Sequence, residues 1–182
     1  MNSASWQVAH ALLADCTRAL FDSLGIALTD ASESNPAPAS SGERLASFIG
    51  FSGSEMRGSI TIELPCALVA RAHPMAASGR ALTHPELCDW SGELANQLLG
   101  RLKNAIGRHA VTLQLSTPST MWGRMSHGGT HRAEGWYELT LRAGEDPIAI
   151  HFDAVALMPL DLTQVVETSS DAQPEGDMML FF

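Results

Sequence analysis

Cysteine is scarce in this sequence, and the cysteines present show no pairing pattern. Cys16, Cys66 and Cys88 are three in number, an odd count, and no C-x-x-C pair occurs. Each falls in a segment with a helical or apolar pattern. Disulfide frameworks and cysteine-based zinc sites both depend on paired spacings, so we expect reduced, packed thiols in a cytoplasmic protein.

Long apolar runs and an excess of positive charge are also missing. No uninterrupted apolar run approaches the roughly 20 residues of a membrane-spanning helix, and the N-terminus lacks the basic region and apolar core of a signal peptide. The chain of 182 residues carries 11 Lys and Arg against 20 Asp and Glu, a formal net charge of −9. This charge disfavours nucleic acid and anionic membranes as partners. We therefore predict one soluble domain that binds neither of them.

Motifs of self-contained catalysis are absent as well. The sequence has no G-x-S-x-G nucleophile turn, no phosphate-binding G-x-x-x-x-G-K-[ST] and no dinucleotide fingerprint. His127 and His131 are four residues apart, which on a helix could place two imidazoles on one metal ion. The two glycines between them indicate a loop instead, and no third ligand lies nearby. We predict no metal site of the chain's own.

Hydrophobic periodicity predicts an α+β fold, an antiparallel β-sheet packed against long helices. Helical spacing of apolar residues marks residues 3–24, and Pro65 opens a short predicted helix that reaches about residue 73. Strand-like alternation marks residues 44–51 and 56–64, a predicted hairpin. Later strands are predicted at residues 111–115, 120–125, 134–142 and 147–155, the last two forming a second hairpin. The short links among these late strands indicate antiparallel order.

The chain divides into a domain, residues 1–165, and a tail, residues 166–182. Within the domain, residues 29–43 are rich in Ser and Pro and lack large apolar side chains, which predicts a surface loop. The tail is acidic and turn-rich but finishes in M-M-L-F-F. This apolar end either docks in a groove of the domain, of a second copy or of a partner, or is incidental.

The strongest pattern is a long amphipathic helix over residues 89–107, entered through Thr83 or His84 with Pro85 near its first position. The predicted buried stripe consists of Leu87, Ser91, Leu94, Leu98, Leu102 and Ile106. The opposite face carries Asp89, Glu93, Asn96, Gly100 and Lys103. Carboxylates in the N-terminal half of a helix also interact favourably with the helix dipole. An ordinary solvent-exposed face is therefore the alternative to a functional one.

The run D-x-x-x-E-x-x-N, followed by Gly100, Lys103 and later Pro118, resembles the signature of the CheC/CheX/FliY phosphatases of bacterial chemotaxis, and of CheX-like domains in particular. The piece G-E-L-A-N-Q-L-L-G-R-L-K-N resembles the central helix of that family. The upstream F-I-G-F-S-G-S-E-M-R-G-S-I-T-I-E-L resembles its glycine-punctuated strand pair. The resemblance covers roughly residues 1–160. Because the chain has one E-x-x-N helix, it implies one active surface per chain, as in CheX.

The resemblance implies a phosphatase that acts on the phosphorylated aspartate of a CheY-like response regulator, which supplies its own Mg²⁺. Asn96 would hold the attacking water, since an amide both donates and accepts hydrogen bonds. Glu93 would pair with the regulator's active-site lysine, and Asp89, Gly100 and Lys103 are candidate partner-binding residues. The chain would need no cofactor of its own and would form a homodimer, through exposed strand edges.

Two alternatives use the same helix differently. A non-catalytic CheX-like adaptor would bind a response regulator or a flagellar-switch component through this face, without needing the amide of Asn96. A dimeric scaffold would leave the face as ordinary surface, with Glu93 and Asn96 buried or blocked by the rest of the fold. Exposure of these two side chains is therefore the first discriminating observation.

Overall fold

The computed structural model describes residues 3–31, 42–123 and 133–165. Within these ranges the helices are α1 (Ser3–Ser23), α2 (Cys66–Ala72) and α3 (His84–Gly107), with a short 3₁₀ helix at Ala76–Ser78. The strands are β1 (Thr29–Asp30), β2 (Arg44–Ser52), β3 (Met56–Pro65), β4 (Gln114–Leu115), β5 (Ser119–Trp122), β6 (Tyr137–Ala143) and β7 (Asp146–Ala156). The predicted amphipathic helices and both predicted hairpins are present.

These strands form one antiparallel sheet in the order β1–β6–β7–β3–β2–β4, with β5 also paired to β2. The first hairpin pairs β2 with β3 from Arg44↔Pro65 to Ser52↔Arg57. The second pairs β6 with β7, and β7 in turn pairs with β3 at the centre of the sheet. The outer edge of β2 is shared, because β5 pairs along its first half and β4 at its end. The predicted α+β class with an antiparallel sheet is confirmed.

Helices α1 and α3 pack against the same face of this sheet. Trp6 of α1 makes an edge contact with Phe152 of β7, with ring centroids 6.5 Å apart. Helix α3 contributes Leu94, Leu98 and Leu102, all 0% exposed. The apolar layer between helices and sheet is the main stabilising element, since burial of apolar surface dominates folding. It also holds α3 with one face inward and one face toward solvent.

Two predicted segments differ from the structure at the sheet edges. Thr29 and Asp30, predicted to lie in a surface loop, form β1 and pair with β6. This pairing depends on a strand far along the chain, which local composition does not reveal. Of the predicted strand 111–115, only Gln114–Leu115 pairs with β2. Val111 and Leu113 are buried as their alternation predicts, but β2 ends at Ser52 and leaves them no strand to pair with.

Two predicted starts are also displaced, by three residues for β6 and by one residue for α2. Strand β6 begins at Tyr137, because the preceding residues form a turn in which the Trp136 N–H donates to Ala133 O at 3.0 Å. A Cβ on Gly135 would lie 2.5 Å from the Trp6 ring, so this turn packs directly on α1. Pro65, predicted to open a helix, is the last residue of β3 and the N-cap of α2.

Several predictions concern residues outside the described ranges and stay predictions. They are most of the loop 29–43, the glycine-containing turn with His127 and His131, and the tail 166–182 with its apolar end. Near the end of the described ranges the chain packs on α1, because the Leu162 N–H donates to Ser5 Oγ at 3.1 Å and Leu162 is buried. Across the described ranges, no helix combines the length and the apolar character needed to cross a membrane.

Candidate functional site

Helix α3 begins at a side-chain cap. Thr83 is the N-cap and forms a capping box with Glu86, in which the Thr83 N–H donates to Glu86 Oε2 at 2.8 Å. Pro85 lies in the first turn, where its missing N–H leaves no helical hydrogen bond unmade. The Arg80 guanidinium donates to both carboxylate oxygens of Glu86. These contacts fix the first turn of the helix that carries the candidate site.

This cap predicts a dependence of stability on acid pH. Hydrogen bonds from Arg80 and Thr83 lower the pKa of the Glu86 carboxyl from 4.5 to about 2. A carboxyl with a lowered pKa in the folded state stabilises the fold fully above its unfolded pKa, and this contribution is lost as pH falls through the folded value. We expect a higher Tm for the wild type than for Glu86→Gln above pH 4.5, with the difference disappearing as pH falls toward about 2. Thermal unfolding of both proteins over this range is the measurement; a Tm difference independent of pH contradicts the assignment.

The two faces of α3 lie where the spacing predicts. All six members of the predicted stripe are buried, including the polar Ser91. On the opposite face Asp89, Glu93, Asn96 and Lys103 are exposed and Gly100 is half-buried. We call these five residues the α3 row. The scaffold alternative requires Glu93 and Asn96 to be buried or blocked, and their exposure argues against it.

Within the α3 row, Glu93 is held by a neighbouring amide. Gln97 Nε2 donates to Glu93 Oε1 at 2.9 Å, an i, i+4 contact on the helix surface. Glu93 Oε2 and the Asn96 amide make no hydrogen bond to other residues of the described part of the chain. One carboxylate oxygen and one amide therefore face solvent one helical turn apart.

The segment that contains β5 lies against one side of the α3 row. A Cβ built on Gly92 would lie 3.2 Å from Thr120 Oγ1 and 3.6 Å from Pro118 Cγ, so the segment contacts the helix immediately before Glu93. On another side of the helix, Arg101 Nη2 donates to Ser23 Oγ at the end of α1, at 3.1 Å. Pro118, one of the residues that carry the resemblance, is thus a direct neighbour of α3.

Three hydroxyl groups meet beneath the α3 row. Ser47 Oγ of β2 lies 2.7 Å from Ser91 Oγ of α3 and 2.8 Å from Thr120 Oγ1 of β5. Ser47 and Ser91 are both 0% exposed. Buried hydroxyls in native proteins normally have a hydrogen-bond partner, and here they supply it to one another. We call Ser47, Ser91 and Thr120 the hydroxyl cluster; it joins α3 to two strands.

The described part of the chain holds no group of three or more His, Cys, Asp and Glu side chains that could bind a metal ion. Cys16, Cys66 and Cys88 are unpaired and half-buried. Burial raises the pKa of the Cys16 and Cys66 thiols, so both stay protonated at neutral pH and are poor nucleophiles.

An apolar groove of about 510 Å³ lies apart from the α3 row, with Trp6, Leu157, Met158 and Leu160 among its lining residues. Met158 is 57% exposed, so the groove opens to solvent. No member of the α3 row lines it, and it contributes nothing to the candidate site.

Sequence reasoning missed Gln97 and the hydroxyl cluster. Gln97 has a local signal, because a glutamine four residues after a glutamate on a helix can donate to its carboxylate. Ser91 has a weaker one, since a serine in an otherwise apolar stripe indicates a buried hydrogen bond. Its partners Ser47 and Thr120 are distant in sequence, and only the fold brings them together.

Residues 45–129 match the family model described as chemotaxis phosphatase CheX. Among solved structures, the chemotaxis protein CheX from Vibrio vulnificus shares the fold at 20% identity and a TM-score of 0.61, over 79% of this chain and 93% of that one. CheX from Desulfovibrio desulfuricans matches at 17% identity and a TM-score of 0.63, over 80% of this chain and 98% of that one. The CheX–CheY–BeF₃–Mg²⁺ complex from Borrelia burgdorferi matches at 11% identity and a TM-score of 0.57, over 80% of this chain and 96% of that one. No curated protein sequence gives a significant match.

The segment that matches the family model contains all of α3, and therefore every residue of the α3 row. It also contains the β2–β3 hairpin, apart from the first residue of β2, and the two strands β4 and β5 that pair with β2. The shared fold extends the likeness beyond this segment, to 79% and 80% of the chain in the two CheX structures. The resemblance seen in the sequence is thereby confirmed: residues 45–129 match the CheX family model, and the chain has the fold of CheX chemotaxis proteins.

Proposed function

We propose that this chain is a phosphatase that removes the phosphoryl group from the active-site aspartate of a CheY-like response regulator. The observation that carries the proposal is the exposure of Glu93 and Asn96, one turn apart on α3, within the segment that matches the CheX model. A protein of the same fold was solved as a CheX–CheY–BeF₃–Mg²⁺ complex, which supports a response regulator as the partner. Asp89, Gly100 and Lys103 complete the contact surface.

The main requirement of this reaction is to position the attacking water, because the phosphorylated aspartate is already reactive. An aspartyl phosphate is a reactive acyl phosphate; water attacks the phosphorus, the bond from phosphorus to the carboxylate oxygen breaks, and inorganic phosphate leaves. The phosphatase must hold that water in line with the breaking bond. The Asn96 amide can do so, because it donates to and accepts from water without ionising. Its side chain has no competing hydrogen bond within the described ranges.

Glu93 sets the approach of the regulator by pairing with its active-site lysine. Gln97 occupies Glu93 Oε1 and leaves Oε2 for the lysine ammonium, a charge-assisted hydrogen bond of the stronger kind. Residues three apart on a helix have Cβ atoms about 5–6 Å from each other. With Glu93 engaged with the lysine, the Asn96 amide lies one helical turn further along the contact surface, where we expect the phosphoryl group.

The mechanism needs no metal or cofactor of this chain's own. Mg²⁺ bound to the regulator neutralises the phosphoryl oxygens while water attacks, which agrees with the composition of the Borrelia burgdorferi complex.

We further propose that the protein is cytoplasmic and forms a homodimer through exposed strand edges. Size-exclusion chromatography with light scattering tests the dimer, and a monomer at working concentration would contradict it.

The direct test of the proposed function is release of inorganic phosphate from purified phosphorylated response regulators of the same cell, with and without this protein. Acceleration of release from at least one regulator is the expected result. Binding of the regulators without acceleration would contradict the phosphatase and indicate the adaptor. Absence of both binding and acceleration would contradict the α3 row as a regulator-binding surface.

A substitution at Gly100 should have opposite effects on the stability of the free protein and on its binding of the regulator. A Cβ at Gly100 would meet no heavy atom within 4 Å, and alanine favours a helix over glycine by about 1 kcal/mol. We expect Gly100→Ala to raise the Tm of the free protein and to weaken binding of the regulator, because the added methyl group stands between the two surfaces. Thermal unfolding and titration with a beryllofluoride-treated regulator measure the two effects. An unchanged affinity would show that the partner does not approach α3 closely at Gly100.

A further inference from the structure

We propose that the hydroxyl cluster of Ser47, Ser91 and Thr120 positions the α3 row for catalysis, so that Ser91 and Thr120 are positioning residues of the phosphatase. This inference rests on the proposed function and deepens it, since these three side chains act through Glu93 and Asn96. None of the three belongs to the α3 row. All of them lie between the helix and the sheet or at its edge.

Ser91 controls how α3 sits on the sheet. It lies on the buried face of the helix, two residues before Glu93 and five before Asn96. Its Oγ lies 2.7 Å from Ser47 Oγ of β2. The leucine contacts of the same face are non-directional, whereas a hydrogen bond restricts both distance and angle. The bond from Ser91 therefore fixes the rotation of α3 about its axis and its height above β2.

Thr120 extends this control to the neighbouring strand. Ser47 Oγ also lies 2.8 Å from Thr120 Oγ1 of β5, and a hydroxyl can donate one hydrogen bond while it accepts another. The β5 segment contacts α3 at Gly92, immediately before Glu93. One buried oxygen, Ser47 Oγ, thus connects the helix that carries Asn96 with the strand beside it.

Apolar side chains could fill the space of the hydroxyl cluster, and no buried polar group would then need a hydrogen-bond partner. A buried hydroxyl loses its bonds to water, and a hydrogen bond inside the protein is needed to offset that loss. The remaining members of the buried stripe of α3 are leucine and isoleucine. Unlike such residues, the hydroxyls restrict the distance and the angle between the helix and the strands. Catalysis by positioning depends on geometry strongly, because a displacement of roughly 1 Å can lower a rate about 100-fold.

The experiment compares two substitutions at Thr120 that differ in the hydroxyl. Thr120→Val keeps the shape and removes the hydroxyl, whereas Thr120→Ser keeps the hydroxyl and removes the methyl group. Ser91→Ala removes the hydroxyl on the helix. Ile106→Val, buried on the same face of α3, is the control for a plain loss of packing. Phosphate release is measured for each variant as a function of regulator concentration, and amide NMR spectra are recorded for the free proteins.

We expect Thr120→Val and Ser91→Ala to lower kcat about tenfold with KM unchanged, and to shift the amide signals of residues 91–97. Thr120→Ser and Ile106→Val should keep the kcat of the wild type. Equal kcat and equal spectra for Thr120→Val and Thr120→Ser would overturn the inference, as would a wild-type kcat for Ser91→Ala. A wild type that accelerates no regulator would overturn the proposed function itself. The spectra would still report whether the hydroxyls hold α3 in place.

Discussion

Replacement of Asn96 by alanine is expected to lower the acceleration of phosphate release by about 100-fold, the loss typical of removing one positioned hydrogen-bonding group from a catalytic site. Asn96 is exposed and lies in the middle of α3, and alanine is a good helix former. The fold of the variant should therefore be intact. Asn96→Asp should also be inactive, because a carboxylate only accepts hydrogen bonds and repels the phosphoryl oxygens.

A matched control for this substitution exists on the same helix. Asn104 is also exposed and lies in α3 outside the α3 row. Asn104→Ala makes the same chemical change two turns away and should retain the activity of the wild type. If Asn96→Ala and Asn104→Ala accelerate phosphate release equally, the water-positioning role of Asn96 is wrong. Circular dichroism and Tm of both variants exclude a difference in folding as the cause.

The second large effect is expected at Glu93, and it should appear in binding. Loss of a charge-assisted hydrogen bond to the regulator's lysine weakens binding by about 10-fold for Glu93→Gln, and Glu93→Lys should weaken it further because it places two like charges together. Titration with a beryllofluoride-treated regulator measures the Kd of each variant. The loss should shrink as salt is added, since screening weakens exposed ion pairs.

Glu145→Gln is the matched control for Glu93→Gln. It removes the same charge from a carboxylate that is 99% exposed in the link between β6 and β7. Both substitutions change the net charge of the protein by the same amount, so this general effect on the Kd is common to the two variants. Because Glu145 lies outside the α3 row, we expect the Kd of Glu145→Gln to stay close to that of the wild type. A Kd for Glu93→Gln equal to that of Glu145→Gln would show that Glu93 does not contact the regulator.

The sequence alone predicts α3 and its two faces because both depend on local pattern. Helical spacing of leucines fixes which residues are buried, and the same period leaves Glu93 and Asn96 outward, as the structure has them. The β2–β3 hairpin follows from alternation around a glycine-containing turn. For these elements the residues that determine the structure are neighbours in the chain.

The parts that could not be predicted depend on contacts between distant residues. Strand β1 exists because Thr29 and Asp30 pair with β6, although their own segment is polar and loop-like. The hydroxyl cluster joins Ser47, Ser91 and Thr120 across three elements. A buried serine is visible in the pattern of α3, but the identity of its partner depends on the register of β2 and β5. Such pairing requires the fold.

Two measurements on the wild type and Asn96→Ala, both made with one regulator, test whether Asn96 acts in catalysis rather than in binding. The first is the Kd for its beryllofluoride-treated form, and the second is the rate of phosphate release from its phosphorylated form at saturating phosphatase. We expect equal Kd values and a rate about 100-fold lower for Asn96→Ala. Equal rates at saturation for the two proteins would contradict a catalytic role of Asn96.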